Sequence, residues 1–144
     1  GHFRLRSALE TPLLFVARGT GFAPIKAMIE QVLAINPRRD LVLFWGVTDT
    51  SDFYQLDLLA RWIASNPSFH CTLTARTVQP GFAPPPGAIF VEGTVYAALA
   101  KTTERITDRD GYMAGPTKTV QESLRALTAL GVQREKILVD SYGG

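Results

Sequence analysis

The chain has 144 residues, 46% of them apolar and 19% charged, which fits one globular domain with its own core. At this length about 70% of the unfolded surface can be buried, so neither disulfides nor metal are needed for stability. Fifteen basic against thirteen acidic residues leave a net charge of +2, too small and too scattered for a nucleic-acid-binding surface. The single cysteine, Cys71, excludes an internal disulfide framework and a four-cysteine zinc or iron–sulfur site. No apolar run approaches the ~18 residues of a membrane span, and no signal peptide is legible. The expected setting is therefore a reducing cytoplasm, with no membrane or nucleic-acid partner. The ends, Gly1 and Tyr142-Gly143-Gly144, lead us to expect a part of a longer protein.

Strand and helix patterns alternate along the chain. Leu13-Leu14-Phe15-Val16-Ala17 is a continuous apolar run, the pattern of a strand covered on both faces. It ends in the turn Arg18-Gly19-Thr20-Gly21, and Pro24 then suits the first position of a helix. Ile25, Met28, Ile29, Val32 and Leu33 stripe that helix, which Asn36-Pro37 stops. Leu41 to Val47 reads as a second buried strand, followed by a polar loop from Thr48 to Asp52. A helix carrying Leu56, Leu59, Trp62 and Ile63 ends at Asn66-Pro67, and Phe69 to Ala75 makes a third strand. Pro80, Gly81, Pro84, Pro85, Pro86 and Gly87 mark an irregular loop. A helix is expected over Val95 to Ile106, a turn over Asp108 to Gly111, and a fourth strand at Tyr112-Met113-Ala114. Val120, Leu124, Leu127 and Leu130 stripe the next helix, Gly131 caps it, and Ile137-Leu138-Val139 is a fifth strand.

Strands joined by helical crossovers must be mostly parallel. The expected fold is α/β: a doubly wound, five-stranded parallel sheet with helices on both faces, Rossmann-like. Ligands of such sheets bind at the carboxyl ends of the strands, where strand order reverses. Gly19-Thr20-Gly21-Phe22-Ala23-Pro24 lies at such an end and reads G-x-G-x-x-P. Glycines there make a tight turn and let a ligand approach the backbone, while a following helix offers N–H groups to a pyrophosphate. Phosphate binding and a purely structural turn both fit. Gly115-Pro116-Thr117-Lys118 repeats the pattern after the fourth strand, and the two together point to one crevice.

Other residues weigh less. Cys71 reads as a packed core thiol, and Trp45 and Trp62 as packing. His2 and His70 have no partner at ligand spacing, so no metal site is expected. The serines lack a nucleophile-elbow context. Asp49 and Asp52 fit either a ribose contact or a solvated loop, and Arg38-Arg39 reads as a solvated turn.

Gly19-Thr20-Gly21-Phe22-Ala23-Pro24-Ile25-Lys26, Phe44-Trp45-Gly46-Val47, Tyr112-Met113-Ala114-Gly115-Pro116 and Asp140-Ser141-Tyr142 occur in an order and at distances that resemble one family. It is the pyridine-nucleotide domain of the ferredoxin–NADP reductase superfamily, in particular the NAD(P)H–flavin and oxygenase reductases and the CDP-6-deoxy-glucoseen reductases. The resemblance covers essentially the whole chain. Gly1-His2-Phe3-Arg4-Leu5 resembles the last strand of a preceding flavin-binding barrel, so residues 1–10 are expected to close that barrel or link to it, and residues 11–144 to form the NAD(P)H-binding domain.

The resemblance implies an electron-transfer reductase, in which NAD(P)H passes a hydride to FAD or FMN held by the flavin-binding domain of the same parent chain. Electrons then go to an acceptor protein or a small acceptor, through a 2Fe-2S cluster of another domain in members that carry one. Such chemistry needs positioning and electrostatics more than a protein acid or base. By match to the family, Gly19, Thr20, Gly21 and Pro24 belong to one wall of the coenzyme site, Gly115, Pro116 and Thr117 to the other, with Gly46 between them. Thr20, Asp140 and Tyr142 fall at the hydride-transfer end. Arg76, after the third strand, matches a cation that grips the 2′-phosphate of NADPH, although Ala75 replaces the usual serine. The lysine-and-tyrosine clamp of NADPH enzymes is missing from Ala88 to Glu92. Arg18, Ala114 and Thr119 depart from the residues common in the family, and the flavin-binding motif is absent. These departures leave room for a rival, a non-catalytic nucleotide-binding or interaction domain that retains the fold.

Overall fold

Alternation along the first strand sorts the core into two layers. In the computed structural model, which describes residues 10–143, β1 spans Leu13–Arg18. Successive side chains of a strand point to opposite faces. Leu13, Phe15 and Ala17 accordingly pack with Ile25, Ile29, Trp45, Leu59 and Trp62, whereas Leu14 and Val16 pack with Phe44, Val95, Leu99, Val120 and Leu127. The first layer lies under α1 (Phe22–Ile35) and α2 (Leu56–Ser65), the second under α3 (Val95–Ala100) and α4 (Thr117–Ala129). Burial of both faces accounts for the continuous apolar runs of these strands.

The remaining strands are β2 (Leu41–Asp49), β3 (Phe69–Thr77), β4 (Ile89–Glu92), β5 (Asp110–Pro116) and β6 (Ile137–Tyr142). They form one sheet in the order β4-β3-β2-β1-β5-β6, parallel throughout. The α/β, doubly wound expectation holds, with a sixth strand added. Strand β4 has no strand signal of its own because it has four residues and sits at the sheet edge, where Ile89 stays 58% exposed. The chain steps outward from β1 through β4, then returns to lay β5 on the other side of β1. The carboxyl ends of β1 and β5 therefore flank the point where strand order reverses, with Ala17 opposite Ala114.

Several boundaries move. A 3-10 turn occupies Gly19–Gly21, and α1 starts at Phe22, so Pro24 lies inside the first helical turn rather than at its first position. The missing N–H still costs nothing there, because first-turn amides have no intrahelical acceptor. Strand β2 continues through Thr48 to Asp49, β3 runs on to Thr77, and Asp110 belongs to β5 and not to a turn. Helix α3 stops at Ala100, and the Glu104 N–H is taken by the Thr102 hydroxyl at 3.1 Å instead of a helical carbonyl. Residues 1–9, which carry nearly all of the expected barrel strand or linker, lie outside the described residues.

Arg39 is not a solvated turn residue: it is 6% exposed, and its Nε donates to the carbonyl of Thr11 at 2.8 Å. Asn66 does more than precede a proline. Its buried amide donates to the carbonyl of Arg39 at 2.9 Å and accepts from the N–H of Ser68. Arg109, also buried, bonds Asp40 at 2.7 Å and the carbonyl of Leu13. These contacts tie the amino ends of the strands together, opposite the candidate site. Gly131 caps α4 at φ +99°, as its position suggests.

Candidate functional site

The turn after β1 is shaped by two glycines for different reasons. Gly19 has φ +58°, a left-handed conformation that favours glycine, and a Cβ there would meet no protein atom within 4 Å. Its open side is space a ligand can enter. Gly21 is the reverse case, because a Cβ would collide with the carbonyl of Ala114 on β5. This glycine lets the loop lie against the neighbouring strand. Gly115 works the same way, since a Cβ would stand 2.9 Å from the Cβ of Arg18. Gly46 does too, with Thr74 Oγ1 at 2.7 Å and Val95 Cβ at 2.9 Å from the added carbon.

Tyr142 ends β6 at the carboxyl edge of the sheet. Opposite Pro116 in the β5–β6 register, it donates its hydroxyl hydrogen to the carbonyl of Arg18 at 3.2 Å and lies 3.4 Å from the hydroxyl of Thr20. The Thr117 hydroxyl donates to the Tyr142 carbonyl at 3.3 Å. The structure thus brings Thr20, Thr117 and Tyr142 together from three parts of the chain. Asp140, two residues back, accepts from the Tyr112 hydroxyl at 3.4 Å. Burial first, and then Asp140, push the Tyr112 phenol up to about 12.

A cavity of about 250 Å³ lies on the α3/α4 side of Arg18. Arg18, Arg76 and Lys118 line it with Gly46, Thr94, Tyr96, Pro116 and Thr119, and among the described residues no carboxylate takes part. Arg18 reaches over the end of β2 to the Thr48 hydroxyl at 2.7 Å. Three cations with no acid among the lining groups make an anion-attracting wall. Gly46, Arg76 and Pro116, expected at the coenzyme site, are among the lining residues. Lys118 and Tyr96 join them without having been expected as ligands, although Lys118 is visible in the Gly-Pro-Thr-Lys turn. Of the other residues expected at the coenzyme site, Gly19, Thr20, Gly21, Pro24, Gly115, Thr117, Asp140 and Tyr142 are not among the cavity's lining.

Other expectations resolve away from it. Asp49 accepts from the Ser51 N–H at 2.8 Å, the Ser51 hydroxyl and Gln79, which holds its carboxyl below the usual range. Asp52 returns a bond to the Asp49 N–H at 3.1 Å. The pair braces the loop as a capping box and does not line the cavity. Cys71 is buried, its thiol pushed up to about 12 by desolvation, and inert. His70 does have a neighbour, Glu104 at 3.5 Å, while His2 lies outside the described residues. Among the described residues no group of His, Cys, Asp and Glu could hold a metal, and no helix is long and apolar enough to cross a membrane.

Residues 15–124 match the family model described as the oxidoreductase NAD-binding domain. The chain belongs to that family. A component of the Na(+)-translocating NADH-quinone reductase of Methylococcus capsulatus is 26% identical over 147 residues, spanning 100% of this chain and 35% of the relative. The Neisseria meningitidis counterpart is 27% identical over 138 residues, covering 94% of this chain and 34% of its own length. The chain thus spans about a third of these curated relatives. Among solved structures, an Amycolatopsis cytochrome P450 reductase superposes with a TM-score of 0.81 at 22% identity, over 100% of this chain and 42% of that one. A ferredoxin–NADP+ reductase of Neisseria gonorrhoeae with bound FAD and NADP gives 0.66 at 17% identity, over 92% and 56%. The fold is that of these reductases.

Proposed function

We propose that the chain is the NAD(P)H-binding domain of a flavin-dependent oxidoreductase and that the coenzyme lies across the strand ends from Arg76 to Tyr142. The observation that carries this reading is the cavity wall of Arg18, Arg76 and Lys118, with Gly19 and its open Cβ position next in sequence to Arg18. From β3 to β5 the crevice crosses three strand spacings, about 14 Å, room for a dinucleotide laid flat over the ends. Bound there, NAD(P)H supplies a hydride to a flavin held by a flavin-binding domain of the same protein, which passes electrons to an acceptor protein or small acceptor.

This chain's own residues do the holding. Arg76 takes the adenosine phosphate end, in reach of a 2′-phosphate where one is present. Arg18 and Lys118 balance the charge of the diphosphate, and Gly46, Gly115 and Pro116 form the floor and far wall. Gly19 and Thr20 place the nicotinamide end beside Tyr142, whose ring shields it from water. Asp140 acts through Tyr112 by fixing β6 against β5, and is a positioning residue in this reading. Stopped-flow reduction of the flavin by NADPH and NADH in the full-length protein tests the reading. Reduction by either coenzyme supports it, and a flavin that neither reduces contradicts it.

A further inference from the structure

Trp45 lies on β2 with none of its surface exposed, yet its Nε1–H reaches the candidate loop and donates to the carbonyl of Gly19 at 3.1 Å. The ring is clamped. Phe22 stacks on it with centroids 4.0 Å apart and planes 11° apart, and Phe53 and Tyr54 meet it edge-on at 5.1 and 5.2 Å. One side chain therefore holds both ends of the turn, Gly19 by hydrogen bond and Phe22 by stacking.

That bond selects a peptide orientation. In a trans peptide the carbonyl and the following N–H point in opposite directions, and the described residues contain no cis bond. With the Gly19 carbonyl aimed into the aromatic cluster, the Thr20 N–H is turned the other way, to the crevice side. The Phe22 N–H also donates to this carbonyl, so a flip of the peptide would break two hydrogen bonds, one of them the indole's. A flipped peptide would turn a carbonyl oxygen to the crevice and repel an anionic ligand. It would also set an N–H against the indole N–H, and an indole is a donor only. Packing alone does not make this choice, because a phenylalanine would fill much of the same space.

We propose that Trp45 is a positioning residue for the coenzyme: with the Phe22 N–H, its indole N–H locks the Gly19–Thr20 peptide so that an N–H, and not a carbonyl oxygen, meets the nicotinamide–diphosphate part of NAD(P)H. The inference rests on the functional reading above. It is tested by titrating the full chain and its Trp45→Phe variant with NADPH and, separately, with adenosine 2′,5′-bisphosphate, which carries only the Arg76 end of the ligand. The expected result is a loss of about fivefold in NADPH affinity, the size of one hydrogen bond, with less than about twofold change for the fragment. Trp62→Phe thins the same cluster, 6.5 Å from Phe22, without touching the loop carbonyl. It should lower the melting temperature and leave both affinities unchanged. In nitrogen-15 spectra of the ligand-free chain, Trp45→Phe should shift the Thr20 amide and Trp62→Phe should not. Unchanged NADPH binding in Trp45→Phe, or an equal loss for both ligands, overturns the positioning role alone. A wild-type chain that binds the fragment and NADPH no better than buffer overturns the functional reading and this inference with it.

Discussion

The hydroxyl of Tyr142 donates to the carbonyl of Arg18 at 3.2 Å, joining the end of the last strand to the end of the first across 124 positions of sequence. Tyr142 is 41% exposed, so this contact adds little to the core. It does hold the ring beside the Thr20 hydroxyl, 3.4 Å away. In the full-length protein, Tyr142→Ala is expected to change flavin reduction by NAD(P)H severalfold while costing about 1 kcal/mol of stability. Stopped-flow rates and thermal melts check the two halves. A large loss of stability with normal reduction would make Tyr142 a packing residue.

The two glycines of the turn should separate in a mutational test. Gly21→Ala forces a methyl into the Ala114 carbonyl, which is backbone and has little room to yield. We expect a destabilisation of about 2–4 kcal/mol by urea denaturation. Gly19→Ala places its methyl in open space and costs about 1 kcal/mol for the left-handed backbone. Its main effect should be on coenzyme affinity.

Arg76 bears on coenzyme choice. Its side chain is exposed at the end of β3 and lines the cationic cavity. A charge-assisted bond to a 2′-phosphate is worth about 1.5–3 kcal/mol, less where solvent screens it. Arg76→Ala should therefore weaken NADPH at least severalfold more than NADH when dissociation constants are measured at one ionic strength. Equal losses would leave Arg76 as a solvated cation.

High pH should unfold the domain partly through Cys71. Its thiol is pushed by burial from 9.0 to about 12. An acid whose folded value is raised keeps its full contribution below the unfolded value and loses it as pH climbs from about 9 to about 12. Melting temperatures followed across that window should fall more steeply for the native chain than for Cys71→Ala.

An element is legible in the sequence when the contact that decides it is local. Leu13 to Ala17 and Leu41 to Val47 declare buried strands by composition, and Asn36-Pro37 and Asn66-Pro67 stop helices by backbone geometry that needs no partner. Strand β4 is invisible to that reasoning, because only its pairing with β3, Thr72 opposite Ile89, makes it a strand. Arg39 misleads for the same reason, as its partner Thr11 lies 28 positions away. At the site, the turn residues Gly19 and Gly115 are legible as a pair. That Gly21 serves β5 while Gly19 faces open space, and that Lys118 joins Arg18 and Arg76 on one wall, are tertiary facts with no local signal.

The most direct test of the central claim is a calorimetric titration of the chain with NADPH, beside the triple variant Arg18→Ala, Arg76→Ala, Lys118→Ala. The account predicts saturable one-to-one binding to the native chain that the triple variant loses by at least about a hundredfold, with circular dichroism unchanged. Binding of equal strength in both chains, or none to the native one, would contradict it.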